Sequence, residues 1–517
     1  MANKTIIFFK TLASSFKSTE QYALEVLSDS KYDKFPQYID KSKIEEAFDE
    51  YGHKLNPFNS EIYTNSISNS PNIEGHFLSQ NLPSQVDSIV VDETCSKDVL
   101  YKYLDNYNEI SHIGLSVYAM GMDESLNIIK IISKDFADKE LYLGGIGVLF
   151  PHIQNLAEMG IIKRENICFG SGINWLRNKL GFRNLKPNQI KIPKIKSPIY
   201  GFPKKVNSEY LITQIGCPYE CDFCITAKFL HYNPFSTNPQ KIINRLEEMR
   251  QEYEKDIFLF LCDPNAFFPL RTWKEVFHHF SNKKVRKGCD NYIFLLCLAS
   301  MTHLRDLGIE KIQKDSCVKI FMINYGMEST LDGGYIKNRG ISNEFIKAIK
   351  SLGIIPHQNF IIGLPRHTEK NLDLEIKNNL EYDAVWFSVN TLKPLPTTMI
   401  YNQIKDEDLL FGNDLPPELL YRDGFFPFKH KNLGGGFSAL KYAFKSYIEC
   451  EKKVIDVYLN FSETICNNPG YETSTDLQSF AKFFFEMSKK NFDIFKLRME
   501  EKFIKLYQKQ LQNKKLY

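Results

Sequence analysis

Short apolar runs alternate with amphipathic stretches along most of this chain. Four runs in the first third are short enough to be buried strands: residues 5–9, 89–91, 113–117 and 141–145. Helical patterns follow two of them, through 100–104 and 124–136. Strands that alternate with helices predict a parallel, doubly wound α/β sheet of the flavodoxin or Rossmann type. The polar, Ser- and Asn-rich stretch between the first two runs predicts irregular structure.

A second series of strand and helix patterns begins at Tyr210. Its six apolar runs are 210–215, 256–262, 293–298, 318–325, 359–362 and 385–391. Six such units predict a partial (β/α)6 barrel, in which chemistry lies at the carboxyl ends of the strands. The candidate motifs described below fall at those ends, or at the ends of the strands in the first sheet.

The domain organisation follows from these two series. Residues 1–180 are predicted to form the first α/β domain and residues 210–404 the barrel. The Lys-, Pro- and Asn-rich segment 181–209 has no helical period and is predicted to be a linker. In the remainder, 405–517, helical spacing predicts helices over 440–459 and 477–511, with a flexible loop at 434–436.

Composition narrows the class of protein. A length of 517 residues, with 43% hydrophobic and 25% charged residues, is typical of a globular protein with several domains. The net charge of +3 gives no reason to expect a nucleic-acid partner. Lys10 interrupts the first apolar run, and no stretch reaches the about 18 apolar residues of a membrane span. Eleven cysteines without a disulfide framework favour a reducing compartment, so we expect a cytoplasmic protein without a membrane partner.

The strongest chemical signal is the stretch Gly216-Cys217-Pro218-Tyr219-Glu220-Cys221-Asp222-Phe223-Cys224, which follows the first barrel strand. Three cysteines spaced in this way can hold an iron-sulfur cluster and leave one iron without a protein ligand. A zinc site would need a fourth ligand, and the nearest histidine, His231, lies on a different turn. A redox pair of Cys221 and Cys224 would leave Cys217 unexplained.

This motif resembles that of the radical S-adenosylmethionine (radical SAM) enzymes, which carry CxxxCxΦC with an aromatic residue before the last cysteine. Phe223 occupies that position. The resemblance implies that Cys217, Cys221 and Cys224 bind a 4Fe-4S cluster whose open iron chelates SAM. One electron, from an external flavodoxin or ferredoxin type of donor, would then cleave SAM to methionine and a 5'-deoxyadenosyl radical.

Further sequence motifs of this family occur at the ends of later strands. Gly326-Met327-Glu328-Ser329 resembles the family's GxES, and Gly363-Leu364-Pro365 its GLP. The resemblance implies that Glu328 meets the SAM ribose, with Ser329 beside it in the cofactor site. It also implies that main chain from Ile361 to Gly363 meets the adenine and that Asp263 lies near the methionine amine. Glu328 could instead cap a helix, and Asp263, before Pro264, could instead start a turn. Strand three lacks the arginine frequent in the family, so the substrate pocket is expected to differ.

Three strand ends recur between residues 113 and 180: Ile113 to Val117, Leu143 to Gly145, and Ile167 to Gly172. In this order they resemble the amino-terminal cobalamin-binding domain of one radical SAM subfamily. The resemblance implies that Gly144, Gly145, Gly170 and Gly172 let the main chain approach the corrin or its nucleotide tail closely. Ser171 stands where an acidic residue is expected, and no DxHxxG motif is present, so no histidine is nominated as a cobalt ligand. The alternative is a sheet that packs beside the barrel and binds no cofactor.

The resemblance implies a cobalamin-dependent methyltransferase that acts on an unactivated carbon, or on phosphorus, of a small molecule or peptide. One SAM would recharge the cobalamin and another would supply the radical, so the products would be S-adenosylhomocysteine and 5'-deoxyadenosine. The same architecture could instead catalyse a rearrangement, ring contraction or cyclisation. A non-catalytic metal-binding or redox protein is the alternative of another class. The sequence does not assign residues to the substrate step.

Overall fold

The structure is a computed structural model that describes residues 4–11, 19–52, 71–197, 207–230, 238–281, 291–331, 334–412, 414–450 and 453. Its first sheet contains four parallel strands in the order β2-β1-β3-β4. These strands are β1 (Lys4–Thr11), β2 (Val86–Thr94), β3 (Ile110–Val117) and β4 (Glu140–Gly144). A parallel bridge between Leu143 and Ile167 extends the sheet beyond β4.

Helices follow the strands of this sheet and connect them. They are α1 (Thr19–Ser28), α2 (Lys41–Tyr51), α3 (Ile73–Gln80), α4 (Lys97–Leu104), α5 (Met122–Asp135), α6 (Pro151–Glu158) and α7 (Gly172–Lys179). Strand β1 is buried at every position after its first, as expected for a strand covered on both faces. The predicted doubly wound sheet is therefore confirmed.

The second sheet runs in the order β11-β10-β9-β8-β7-β6-β5. Its strands are β5 (Ile195–Lys196), β6 (Asn207–Leu211), β7 (Ile257–Leu261), β8 (Ile293–Leu298), β9 (Val318–Glu328), β10 (Ile355–Ile362) and β11 (Trp386–Thr391). β5 pairs antiparallel with β6, whereas β6 to β11 are parallel. The six parallel strands confirm the predicted partial barrel.

Helices alternate with the barrel strands and continue after them. They are α8 (Thr226–Leu230), α9 (Pro239–Glu252), α10 (Leu270–Ser281), α11 (Met301–Leu307), α12 (Ile309–Asp315), α13 (Asn343–Ser351), α14 (Glu369–Glu381), α15 (Met399–Asp406) and α16 through 438–450. Within the described ranges, no helix is long and apolar enough to cross a membrane.

The expectation of irregular structure after β1 is wrong for the described residues, because α1, α2 and α3 lie there. Asp40 caps α2 and Asn72 caps α3 through side chains that accept backbone N–H groups. α1 and α2 pack on the carboxy-terminal region, where Tyr22 and Ile44 share a core with residues of 415–448. The predicted domain bounds stay a prediction. This packing shows that residues 19–52 share a core with the predicted carboxy-terminal domain.

The carboxy-terminal region also differs from expectation at its glycine-rich segment. Gly434–Gly436 is not a flexible loop but strand β13, which pairs antiparallel with β12 (Phe426–His430). The expected helix 440–459 corresponds to α16 where the structure describes it, and the expected helix 477–511 lies outside the described residues. Hairpin β12–β13 packs against the carboxyl ends of β10 and β11, which places it beside the barrel mouth.

Candidate cluster and cofactor site

The cysteine motif forms the connection between β6 and α8, at the carboxyl end of the first barrel strand. Gly216 enters it with a φ of +76°, a conformation that glycine adopts without strain. The N–H of Cys224 donates to the carbonyl of Cys221 at 3.0 Å, so the two cysteines lie on one tight turn. Cys217, Cys221 and Cys224 are free thiols that are half-buried at this loop.

The surroundings of these thiols act differently on free and on metal-bound cysteines. Burial raises the pKa of Cys217 and raises that of Cys221 to about 11, so free thiols here would stay protonated. A bound metal reverses this preference, because a coordinating thiol is deprotonated outright. In the part of the chain that the structure describes, no three His, Cys, Asp or Glu side chains converge as ligands of a single ion. Thiolates of a cuboidal cluster need no such convergence, because each binds a different iron.

Later barrel segments hold the cysteine loop in place. The ring of Phe223 packs edge-to-face on Tyr335, with centroids 5.1 Å apart. The hydroxyl of Tyr335 donates to Asp222 Oδ1 at 3.0 Å, and the N–H of Ile400 donates to the Asp222 carbonyl at 3.1 Å. The loop therefore rests on the segment after β9 and on the first turn of α15.

Glu328, at the end of β9, lies next to this loop and is bound by a lysine that the sequence analysis missed. Lys337 Nζ donates to Glu328 Oε1 at 2.6 Å, and both side chains are largely buried. Glu328 has a φ of +62°, which is uncommon for a residue with a side chain. A Cβ at Gly326 would clash with the Glu328 carboxylate and would lie 2.7 Å from Lys337 Nζ. Gly326 of the GMES motif must therefore lack a side chain, because the Lys337–Glu328 ion pair occupies the space beside it.

Ser329 stabilises the turn that follows. It is fully buried, and its Oγ accepts the N–H of Leu331 at 3.2 Å. The buried carboxylate of Glu375, from α14, accepts the N–H of Thr330 at 2.6 Å. The side chains of Ser329 and Glu375 therefore accept hydrogen bonds from the backbone N–H groups of this turn. These bonds hold the segment after Glu328 in one conformation.

The turn after β10 is built around Gly363, which has a φ of +86°. A Cβ there would clash with the ring of Phe426 from β12. His367 accepts backbone N–H groups of the same turn, and His430 bonds the carbonyl of Leu364. Gly363 is therefore required both by its own conformation and by the aromatic ring that packs on it.

Asp263 lies at the end of β7 and is completely buried. Its Oδ1 accepts the N–H of Thr213 at 2.7 Å and that of Gln214 at 3.1 Å, and Oδ2 accepts the Thr213 hydroxyl. These hydrogen bonds lower the pKa of the Asp263 carboxyl, but burial has the larger effect and raises it to about 6. Both oxygens are thus used to hold the segment between β6 and the cysteine loop. A contact with the methionine amine stays a prediction, and this geometry favours a structural role.

The four glycines assigned to cobalamin line one cavity of about 340 Å³, a size in the range of ligand pockets. Gly144 and Gly145 come from the end of β4, and Gly170 and Gly172 from the segment that enters α7. The opposite wall includes the cysteine loop and α8: Gln214, Ile215, Gly216, Ile225, Thr226 and Phe229. The cavity therefore lies between the carboxyl edge of the first sheet and the cluster loop.

The glycines have different reasons to lack a side chain. A Cβ at Gly144 would meet nothing within 4 Å, so a side chain there would project freely. A Cβ at Gly145 would lie 2.6 Å from the carbonyl of Val117, and the φ of +86° adds strain. A Cβ at Gly172 would lie 3.1 Å from the side chain of Leu78. Gly145 is therefore required by the fold, whereas Gly144 leaves the cavity open. The lining is mostly apolar and combines these glycines with aromatic and aliphatic side chains, which fits a flat, largely apolar ring.

Two further charged residues at the barrel mouth were missed because nothing in their local sequence marks them. Lys393, just after β11, donates to the carbonyl of Phe425 at 2.6 Å, and burial lowers its pKa to about 7. Asp423 accepts the N–H of Thr391 at 3.1 Å, and burial raises its pKa. Only the folding of segment 417–425 back over the barrel brings them together.

No family model matches this chain. The hopanoid C-2 methylase of Rhodopseudomonas palustris (strain TIE-1) is 23% identical over 228 residues, which is 42% of this chain and 42% of that protein. The chain therefore spans less than half the length of this curated relative.

Two solved structures resemble the whole chain. The radical SAM methyltransferase TsrM from Kitasatospora setae, with cobalamin and a [4Fe-4S] cluster bound, matches with a TM-score of 0.52 and 13% identity, over 95% of this chain and 99% of that one. TsrM with tryptophan and a SAM analogue matches with a TM-score of 0.50 and 14% identity, over 94% and 99%. At these identities the likeness concerns the fold. The chain therefore shares its fold with this radical SAM methyltransferase, which confirms the predicted fold class.

Proposed function

We propose that this protein is a cobalamin-dependent radical SAM methyltransferase that acts on a small molecule or peptide. Cys217, Cys221 and Cys224 would hold the 4Fe-4S cluster. Glu328 and the main chain up to Gly363 would hold SAM, and the four cavity glycines would meet cobalamin. When bound, the cluster would supply an electron to the sulfonium of SAM, and cobalamin would carry the methyl group.

The shared cavity is the observation that carries this proposal. It joins the glycine ends of the first sheet to Gly216 and Ile225, which flank the stretch with the three cysteines. A methyl carrier has to lie close to the site where SAM is bound, because the group is passed directly from one to the other. A sheet that merely packed beside the barrel would have no reason to leave an opening at this edge. The hopanoid methylase and TsrM, both named as methyl-transferring enzymes, support the same conclusion.

The residues of this chain would bind, orient and exclude water. The cysteine loop is held by Tyr335 and Ile400, Glu328 by Lys337, and the adenine turn by Phe426. These supports come from later parts of the chain, so the site is assembled only when the barrel and its carboxy-terminal hairpin have folded. An electron donor of the flavodoxin or ferredoxin type would have to reach the cluster from outside.

The direct test is anaerobic expression with hydroxocobalamin, followed by iron, sulfide and cobalt analysis. About four irons and one cobalt per chain are expected. With a reductant, SAM and a small molecule or peptide that serves as methyl acceptor, methylated product and S-adenosylhomocysteine should appear together with 5'-deoxyadenosine. Four irons without cobalt would refute the cobalamin part. Deoxyadenosine without S-adenosylhomocysteine would favour the rearrangement or cyclisation alternative.

Variants separate a cluster from adventitious iron. Replacing Cys217, Cys221 or Cys224 with alanine should abolish cluster iron and SAM cleavage. Cys95→Ala is the matched control, because Cys95 is a buried free cysteine in the first domain. This control should retain the cluster, although a small cavity would lower its stability. Retention of the iron content in the motif variants would contradict the assignment.

A further inference from the structure

Lys337 is the cation that connects the two halves of the proposed SAM site. Its ammonium bonds Glu328 at 2.6 Å and lies 5.5 Å from the ring centre of Phe223, within the cysteine motif. Its charge also interacts with the thiols of Cys221 and Cys224. It therefore faces the carboxylate assigned to the ribose and the sulfurs assigned to the cluster at the same time.

The backbone that carries this lysine is fixed. Lys337 belongs to a short 3₁₀ turn, Ile336–Asn338, and its carbonyl accepts the hydroxyl of Thr302 at 2.9 Å. The neighbouring Asn338 donates to the carbonyl of Gly326 and accepts the N–H of Met301 at 3.4 Å. The turn is thus fastened both to β9 and to α11. A long side chain on a fixed backbone, paired at its tip, is held in one position.

The ion pair coincides with an uncommon backbone conformation. Glu328 keeps its positive φ, and Gly326 must remain without a side chain so that the carboxylate and the ammonium can fold over it. Backbone strain of this kind persists only where the surroundings over-determine it, and it clusters at functional sites. A surface ion pair that only added stability would not need either feature.

We infer that Lys337 is a positioning residue that orients the Glu328 carboxylate for SAM and stabilises the reduced form of the cluster. This inference rests on the proposed function. A cluster with three thiolate ligands gains negative charge on reduction, and net charge and nearby hydrogen bonds set the potentials of such clusters. A fixed, largely buried cation whose charge acts on all three cysteines favours the reduced state, because screening by water is weak there.

The test uses the full chain with its cluster reconstituted anaerobically. Midpoint potentials are measured by EPR-monitored redox titration, and SAM affinity by equilibrium binding, for the wild type, Lys337→Gln and Lys337→Arg. Lys337→Gln should lower the midpoint potential and weaken SAM binding about tenfold or more, as expected when a charged hydrogen bond is lost. Lys337→Arg should restore the potential, because it keeps the charge.

Two further variants separate this role from a structural one. Glu328→Gln leaves the lysine charge without its counter-charge, so the potential should rise while SAM binding weakens. Lys350→Gln breaks an ion pair with Asp383 at 2.9 Å, in which the lysine side chain is 15% exposed, compared with 18% for Lys337. That pair lies at α13, and its loss should change neither the midpoint potential of the cluster nor the affinity for SAM.

The outcomes are distinct. If the wild type assembles a cluster but Lys337→Gln has an unchanged potential and SAM affinity, the inference is wrong and the proposed function is untouched. If Lys350→Gln shifts both quantities as much as Lys337→Gln, the effect is one of general stability and the inference is again wrong. If the wild type assembles no cluster at all, the proposed function itself fails.

Discussion

The backbone N–H of Gly363 donates a 3.0 Å hydrogen bond to Nδ1 of His367. The N–H of Leu364 donates to the same nitrogen at 3.2 Å. Because Nδ1 accepts both bonds, the neutral ring carries its proton on Nε2. The buried imidazole thus satisfies two donors of the turn proposed to meet the adenine of SAM.

Replacing His367 with phenylalanine should destabilise the protein by about 2–4 kcal/mol, because two backbone N–H groups would lose a buried acceptor. An aromatic ring is kept, so the change reports the two lost hydrogen bonds together with the removal of Nε2–H, which has no partner among the described residues. Chemical denaturation measures it, with His278→Phe as the control, since His278 lies exposed on α10. Equal stabilities of the two variants would show that the turn does not depend on His367.

Stability should also fall in mild acid through this histidine. Burial, reinforced by the nearby Arg366 and His430, lowers the pKa of His367 from 6.5 to about 3. Between these two values the unfolded state binds a proton that the folded state does not, so stability rises with pH. The contribution is complete above pH 6.5 and is lost progressively as the pH falls toward 3.

Denaturation midpoints at about pH 7 and about pH 5 test this linkage. The drop between them should be smaller in His367→Phe than in the wild type. His357, whose pKa burial lowers to about 4, acts in the same direction and should leave part of the drop in place. An identical drop in both proteins would mean that His367 does not stay neutral in the fold.

The role of Asp263 can be decided by two substitutions. Asp263→Asn keeps an oxygen for the N–H groups of Thr213 and Gln214, and its new amide can donate to the Thr213 hydroxyl. We expect this variant to fold and to bind SAM with near wild-type affinity. Asp263→Ala should cost about 2–4 kcal/mol, because the buried donors lose their acceptor. If Asp263→Asn instead folds normally but loses SAM, the carboxylate binds the methionine amine as the resemblance implies.

Gly144 offers a way to fill the cavity without disturbing the fold. A Cβ there contacts nothing within 4 Å, so Gly144→Leu should leave the unfolding midpoint nearly unchanged while its side chain enters the cavity. Cobalamin uptake, measured from the visible spectrum after reconstitution, should drop at least about tenfold, which corresponds to about 1.4 kcal/mol. Cluster iron should be retained.

Gly145→Ala is the contrasting variant. Its Cβ would press on the Val117 carbonyl at 2.6 Å, so it should destabilise the domain itself. If Gly144→Leu takes up cobalamin normally, the cavity is not the corrin site.

Most of the strands were predictable because each is a short, continuous apolar run, as buried parallel strands require. The cysteine loop and the GMES and GLP motifs were predictable because each is a short, continuous sequence motif at the end of a strand. The helices α1 to α3 were not, because their apolar positions are few and surrounded by polar residues, and their burial depends on a distant partner. Strand β13 was mistaken for a loop because three glycines carry no side-chain pattern. Its place is set by pairing with β12.

Local spacing alone determined which cysteines could share a cluster and which glycines could lie at strand ends, since those properties depend on neighbours within a few residues. Only the tertiary structure decided that Lys337 pairs with Glu328, that both oxygens of Asp263 are occupied, and that the glycines and the cysteine loop face one cavity. These relationships join residues separated by long stretches of chain. They exist because parallel strands bring their carboxyl ends to one edge, where buried charges and hydrogen-bonding groups must find partners.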